Sequence, residues 1–123
     1  TDLGQDRLTF VYDYPASQAS LARLNPDDPR VASRFELYYQ GVELANGFHE
    51  LADSKEQRSR FQEENRQRER NGQQQMPVDE HLLAVLDQLP DCSGVALGLD
   101  RLLMLKLGAH SLDQVLDFPL DQA

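Results

Sequence analysis

The sequence predicts an α+β fold in which an antiparallel β-sheet is flanked by helices. Three patterns predict it. Residues 35–44 alternate apolar and polar side chains on either side of Gln40-Gly41, as a β-hairpin does. Residues 53–72 are polar almost throughout and are bounded by Asp53 and Gly72, which outlines an exposed helix. Leu82, Val85, Leu86 and Leu89 recur at helical spacing.

From the start of the chain, "RLTFVYDYP" is rich in aromatic and β-branched residues and predicts a strand over Leu8–Tyr12, closed off by Pro15. "NPDDPR", Asn25–Arg30, is a loop. Phe35, Leu37 and Tyr39 then alternate with Glu36, Tyr38 and Gln40, and Val42 opens the second hairpin strand. The helix over Asp53–Gly72 has Phe61 as its only large apolar residue. Its Lys55, Arg58, Arg60, Arg66, Arg68 and Arg70 are interleaved with Glu56, Glu63, Glu64 and Glu69. Mixed charge predicts a solvated helix laced with Glu–Arg pairs more readily than a basic stripe facing RNA. "QQQMP" is a short linker, and "PVDEHLLAVLDQLP" is an amphipathic helix opened by Pro77 and ended by Pro90. "SGVALGLDRLLMLKLG" reads as a short strand, a glycine and a helix capped by Gly108. Leu99, Leu102, Leu103 and Leu107 are expected to form that helix's buried stripe. A short helix from Leu112 and a tail complete the chain.

The 123 residues suffice for one domain with a modest core, and 40% hydrophobic with 27% charged residues is ordinary for a soluble protein. No apolar run approaches the roughly 18 residues a membrane span needs. The N-terminus has no basic start, no apolar h-region and no initiator Met, so a fragment of a longer protein is expected. A net charge of -9 disfavours nucleic-acid binding, which needs clustered Lys and Arg. The single cysteine, Cys92, excludes an internal disulfide and a cysteine zinc site, and is expected to be a small buried residue in a reducing cytoplasm.

Chemistry concentrates in two places. A two-residue turn at Gln40-Gly41 would pair Tyr39 with Val42, Tyr38 with Glu43, Leu37 with Leu44 and Glu36 with Ala45. Glu36, Tyr38, Glu43 and Ala45 would then share one face, and the apolar residues the other. Two carboxylates about 5–8 Å apart at Cβ repel, and are tolerated when solvated or when a cation lies between them. Strict alternation sends Asn46 to the apolar face unless a bulge at Asn46-Gly47 returns it. The second place is Gly94–Arg101. Arg101 near a helix start, with Gly98 permitting close approach, suits a phosphate; the plainer alternative is an arginine paired with Asp100 or another acid. The glycine spacing fits neither a Walker loop nor a dinucleotide fingerprint. His49, His81 and His110 are scattered, Ser17, Ser20 and Ser93 lack a nucleophile elbow, and no nucleophile–base pair is evident.

"RFELYYQGVELANGFHEL" followed by "GVALGLDRLLML" resembles the C-terminal portion of a class II aminoacyl-tRNA synthetase catalytic domain, the lysyl-tRNA synthetase type, with the second stretch similar to its motif 3. The resemblance runs from Phe10 onward. "ELANGFHEL" and "PDCSGVALGLDRL" are closer still to the bacterial lysyl-tRNA synthetase paralogues that join (R)-β-lysine to elongation factor P. The resemblance implies ATP and Mg²⁺ as cofactors. It implies that Glu36 and Glu43 act on ATP through Mg²⁺, that Leu44 and Gly98 border the nucleotide, and that Arg101 is the catalytic residue on the γ-phosphate. It implies that Asn46 and Glu50 hold the substrate, lysine or (R)-β-lysine, with Glu50 opposite an ammonium group. Ala96 stands where lysyl-tRNA synthetases typically carry Gly, and its methyl would reshape that pocket. Motifs 1 and 2 have no match, which implies a single partial domain over residues 1–123, inactive alone. The resemblance further implies a cytoplasmic homodimer at full length, acting on elongation factor P without tRNA or membrane. The alternatives are the corresponding part of a lysyl-tRNA synthetase and a non-catalytic synthetase-like interaction module.

Overall fold

The computed structural model describes residues 2–119; Thr1 and the end of the predicted tail, 120–123, lie outside the described residues. Four strands, β1 (Thr9–Pro15), β2 (Val31–Tyr39), β3 (Val42–His49) and β4 (Ser93–Leu97), form one sheet in sequence order, each pair antiparallel. The expected α+β fold is present. Helix α1 (Ser54–Arg70) and helix α2 (Glu80–Leu86) connect β3 to β4, and α3 (Leu99–Leu107) follows β4.

The turns follow the expected chemistry. Gln40 and Gly41 both have positive φ, 49° and 75°, which matches the twist of a two-residue hairpin. Asp53 caps α1, its Oδ1 accepting from the amides of Lys55 and Glu56, each at 2.9 Å. Asp79 caps α2 in the same way through Leu82 N. Gly108 ends α3 in the left-handed conformation at φ 65°. The segment from Leu112 is a 3-10 turn, Leu112–Gln114, where a short helix was expected.

The hairpin register departs from the expected one. Tyr39 pairs with Val42 and Tyr38 with Glu43, but Leu37 pairs with Ala45, Glu36 with Asn46 and Phe35 with Gly47. Leu44 is thus the extra residue of a bulge, earlier than the Asn46-Gly47 position expected for it. Ala45 consequently joins Leu37 on the apolar face and leaves the polar face to Asn46. A second irregularity lies between Tyr12 and Tyr14, at Asp13 with φ 56°. It turns Tyr12 to the Phe35 side and Tyr14 to the Glu36 side.

The core is built of small residues. Ala19, Ala22 and Ala32 cluster beneath Leu24 and Phe48, with Leu44, Leu51 and Leu83 buried elsewhere. Across the sheet, the rows Phe10–Leu37–Ala45–Leu97 and Tyr12–Phe35–Gly47–Val95 make a continuous apolar face. Much of it is open: Tyr12 is 69% exposed and Val95 64%. The stripe expected to be buried on α3 is open as well, with Leu99 at 71% and Leu107 at 64%. No element among the described residues covers these side chains. Helix α2 covers only Glu80–Leu86 of the expected Pro77–Pro90 span; its buried residue is Leu83, while Leu82, Val85 and Leu86, with Leu89 beyond its end, line an open cavity.

The mixed charge of α1 is largely internal. Arg60 pairs with Glu56 and donates to the Ser20 and Ala22 carbonyls, Arg66 pairs with Glu63, and Arg58 makes a two-pronged bridge to Glu80. Among the described residues no helix is long and apolar enough to cross a membrane.

Candidate active site

The polar face of the sheet carries the site. The two bulges bring Tyr14, Arg34, Glu36, Tyr38, Glu43, Asn46 and Phe48 onto it. Glu36, Asn46 and Ala96 form one row across β2, β3 and β4, and the adjacent row places Phe48 between Arg34 and Gly94. The site has two ends.

At one end lie Glu43, Leu44, Gly98 and Arg101. Gly98 N donates to the Leu44 carbonyl at 2.9 Å, so the two backbone positions expected at a nucleotide adjoin each other. Gly98 is the N-cap of α3, and Arg101 folds back over it, with Cδ 3.4 Å from where a Cβ would stand. Arg101 Nη1 donates to the Glu43 carbonyl at 2.8 Å and lies 3.8 Å from Glu43 Oε2. Of the plainer alternatives, the acid that Arg101 meets is Glu43 and not Asp100. A helix N-terminus and a guanidinium converge here, the arrangement that suits a phosphate.

At the other end Glu50 faces a cavity of about 570 Å³ with mostly apolar walls, among them Leu21, Leu51, Val85, Leu86 and Cys92. A Cβ on Gly94 would stand 2.4 Å from Glu50 Oε1, so the carboxylate occupies the space that glycine leaves. A carboxylate at the mouth of an apolar cavity suits an alkylammonium: the charge meets the acid and the methylenes meet the walls. Cys92 is half-buried on this wall, not enclosed in a core as expected. Behind it, Asp91 accepts from His49 Nε2 at 2.7 Å and pairs with Arg23 at 3.1 Å. The His49 bond, then the Arg23 charge, hold the Asp91 carboxyl below its ordinary range.

Between the ends, Glu36 is 7% exposed, and both of its carboxylate oxygens accept hydrogen bonds. Its Oε2 accepts from the Tyr14 hydroxyl at 2.6 Å and from the Tyr38 hydroxyl; its Oε1 accepts from Arg34 Nη2. Burial alone would raise its carboxyl pKa, but the two hydroxyls and the guanidinium outweigh it and hold Glu36 below the usual range. Tyr14 is pushed upward by burial and by its bond to Glu36, and Tyr38 by that bond first and burial second. All three groups therefore keep their ordinary protonation at neutral pH.

A family model, tRNA synthetases class II (D, K and N), matches residues 1–122. The chain belongs to this family. Over 122 residues it is 59% identical to an elongation factor P–(R)-β-lysine ligase of Klebsiella pneumoniae (strain 342), covering 98% of this chain and 38% of that protein. The corresponding ligase of Edwardsiella ictaluri (strain 93-146) is also 59% identical, and one of Salmonella dublin 57%, with the same coverage. The chain thus spans 38% of the length of these relatives.

The class II sheet of this chain brings the sequence-derived residues together in three groups. Glu43, Leu44, Gly98 and Arg101 meet at one corner; Glu36, Asn46 and Ala96 share a row; Glu50 stands at the cavity. The sequence reading missed Arg34 and Tyr14, and named Gly94 without giving it a role. Arg34 carried a signal, since it precedes Glu36 by two residues and so shares its face. Tyr14 carried none, because only the irregularity at Asp13 turns it inward.

The donor set fits a divalent cation with one restriction. A carboxylate oxygen offers about two acceptor sites. Glu36 Oε2 has both filled by tyrosines, while Oε1 has one left after Arg34. Glu43 is half-exposed, and its carboxylate lies 3.8 Å from Arg101 Nη1. Glu43 would therefore be the principal ligand and Glu36 a single-oxygen one. Among the described residues no group of three or more His, Cys, Asp or Glu side chains forms a self-sufficient metal cage, so a cation here would need ligand or water oxygens as well.

Proposed function

We propose that this chain is the motif 3-bearing C-terminal part of a class II catalytic domain in an ATP-dependent ligase. The full protein activates (R)-β-lysine as an adenylate and transfers it to a lysine of elongation factor P in the cytoplasm. The observation that carries the reading is the layout of one sheet face: a phosphate-suited corner at Glu43 and Arg101, and an ammonium-suited cavity at Glu50, joined by the Glu36–Asn46–Ala96 row.

Each group has a task that needs no covalent enzyme intermediate. Arg101 and the α3 N-terminus would attract the γ-phosphate. Leu44 and Gly98 leave backbone close to the nucleotide. Mg²⁺, held through Glu43 and one oxygen of Glu36, would neutralise phosphate charge. Glu50 takes the ammonium of the substrate, and Asn46 fixes its reacting end. Acceleration comes from orientation and charge. The Ala96 methyl, opposite Asn46, narrows the row and favours a β-amino acid over α-lysine.

The uncovered apolar face supports a partial domain, whose remaining elements, motifs 1 and 2 included, would pack there and complete the homodimer. ATP–pyrophosphate exchange by the full-length protein tests the proposal. Exchange should depend on (R)-β-lysine more than on α-lysine, and labelled product should appear on elongation factor P and not on tRNA. The isolated 123-residue chain should be inactive. Transfer to tRNA would make the protein a lysyl-tRNA synthetase, and failure to bind Mg-ATP in calorimetry would make it a non-catalytic module.

A further inference from the structure

Arg34 is the most connected side chain on the polar face. Its Nη2 donates to Glu36 Oε1 on its own strand, its Nη1 to the Gln18 carbonyl at 2.7 Å in the turn after β1, and its Nε to Asn46 Oδ1 at 3.4 Å on β3. The guanidinium carbon lies 4.4 Å from the centre of the Tyr14 ring and 5.8 Å from that of Phe48. Only 15% of the side chain is exposed. A planar fork with donors in three directions can serve three acceptors at once and stack between rings; an ammonium on a flexible stem cannot.

The partners are what give this geometry functional content. Glu36 and Asn46 are paired across β2 and β3, and on the ligase reading Glu36 serves the metal and nucleotide while Asn46 serves the amino acid. The bond to Oδ1 fixes the Asn46 amide and leaves Nδ2 available as a donor, which selects an acceptor oxygen on the ligand. The bond to Oε1 fixes the Glu36 carboxylate, with the tyrosines holding its other oxygen.

We propose that Arg34 is a positioning residue that sets the Glu36 carboxylate and the Asn46 amide together, so that one guanidinium prepares both the metal–nucleotide and the amino-acid halves of the site. The proposal rests on the ligase reading above. It touches neither ligand directly, so its signature is a coupled loss in both halves. Loss of one partner that orients a ligating group typically weakens binding about 10- to 100-fold.

The test uses the full-length protein with Arg34→Lys, Arg34→Met and Arg34→Ala. Two readouts are taken: the KM for the amino acid in ATP–pyrophosphate exchange, and the dissociation constant for Mn²⁺-ATP measured by calorimetry without turnover. Both should rise about tenfold or more in Arg34→Met, and Arg34→Lys should recover only part of either. Methylguanidine added to Arg34→Ala should restore exchange, and should do nothing for the wild type. A merely structural residue behaves otherwise: the fraction of active protein falls, KM and the Mn²⁺-ATP constant stay at wild-type values, and methylguanidine has no effect. That result overturns the proposal, as does a rise in only one of the two constants. If the wild type binds Mn²⁺-ATP but exchanges pyrophosphate with no lysine, the ligase reading fails. The Mn²⁺-ATP titration, with and without methylguanidine, then still decides Arg34. A wild type that binds no Mn²⁺-ATP sinks both.

Discussion

On the ligase reading, Gly94→Ala tests the proposed substrate end of the site most directly. Gly94 lies in β4 without positive φ, so its backbone accepts alanine. The obstacle is local: the new Cβ would stand 2.4 Å from Glu50 Oε1, and ordinary contact begins at 3.4 Å. The carboxylate ends a flexible side chain, so it withdraws by about 1 Å while the sheet stays intact. An ammonium that relied on it loses a charge-assisted hydrogen bond of about 1.5–3 kcal/mol. That corresponds to roughly a ten- to hundredfold rise in KM for the amino acid. The assay is ATP–pyrophosphate exchange by the full-length protein, with the KM for ATP as internal control, which should move less than threefold since Gly94 is remote from Arg101. A melting temperature near that of the wild type should accompany it. Two results would refute the reasoning: an amino-acid KM within twofold of wild type, or equal rises in both KM values.

Four further outcomes follow from the same geometry. Gly47→Ala should lower the urea midpoint of the full-length protein, because a Cβ there meets the Phe35 ring at 2.4 Å and the Gly94 carbonyl at 3.1 Å; overpacking of this kind costs about 1–3 kcal/mol, and an unchanged midpoint would contradict it. Asp91→Asn should destabilise slightly at about pH 5, and the difference should shrink below about pH 3.9. A carboxyl held low in the folded state contributes above its unfolded pKa and loses that contribution as pH falls through the folded one, so a gap that widens in acid would reverse the sign; 1 M salt should also narrow it. Ala96→Gly should shift preference toward α-lysine, measured as the ratio of kcat/KM for the two lysines, and an unchanged ratio removes Ala96 from specificity. Arg101→Gln should tighten nucleotide-free Mn²⁺ binding a few-fold in calorimetry, since an exposed ion pair competes by only about 0.2–1 kcal/mol; weaker binding would mean that Arg101 does not compete for Glu43.

The sheet, its hairpin turn and the helix order were legible because they rest on local rules. Alternation marked β2 and β3, Asp53 marked the start of α1, and Gly108 marked the end of α3. Two kinds of information were not local. Bulges change side-chain facing by a single inserted residue, and nothing in "VELANG" says whether Leu44 or Asn46 is the extra one. The burial of an apolar stripe is likewise a property of what packs on it. Leu99 and Leu107 have the spacing of a buried face and stand exposed, because nothing else among the described residues reaches them. The candidate site residues came from the resemblance to a family, with alternation adding that Glu36 and Glu43 share a face. Their organising residue, Arg34, escaped because a single arginine in a strand looks like any surface charge until its partners are known.

The two carboxylates raised a question of repulsion that the structure answers with arginines. Arg34 answers for Glu36 and Arg101 for Glu43, but the two answers differ in permanence. The Arg34 side chain is 15% exposed, stacked between two rings and held by three acceptors. The Arg101 side chain is 45% exposed and held by one carbonyl and a 3.8 Å ion pair. A phosphate can draw Arg101 away at little cost, since exposed pairs contribute little. It cannot draw Arg34 away without stranding a buried carboxylate, which is expensive. On the ligase reading, a nucleotide that drew Arg101 away would leave the Glu43 carboxylate free to hold a metal accompanying the triphosphate. Glu36 keeps its guanidinium and offers one oxygen throughout. Metal and nucleotide would accordingly bind as a unit, with the exposed arginine as the exchangeable partner and the buried one as the fixed frame.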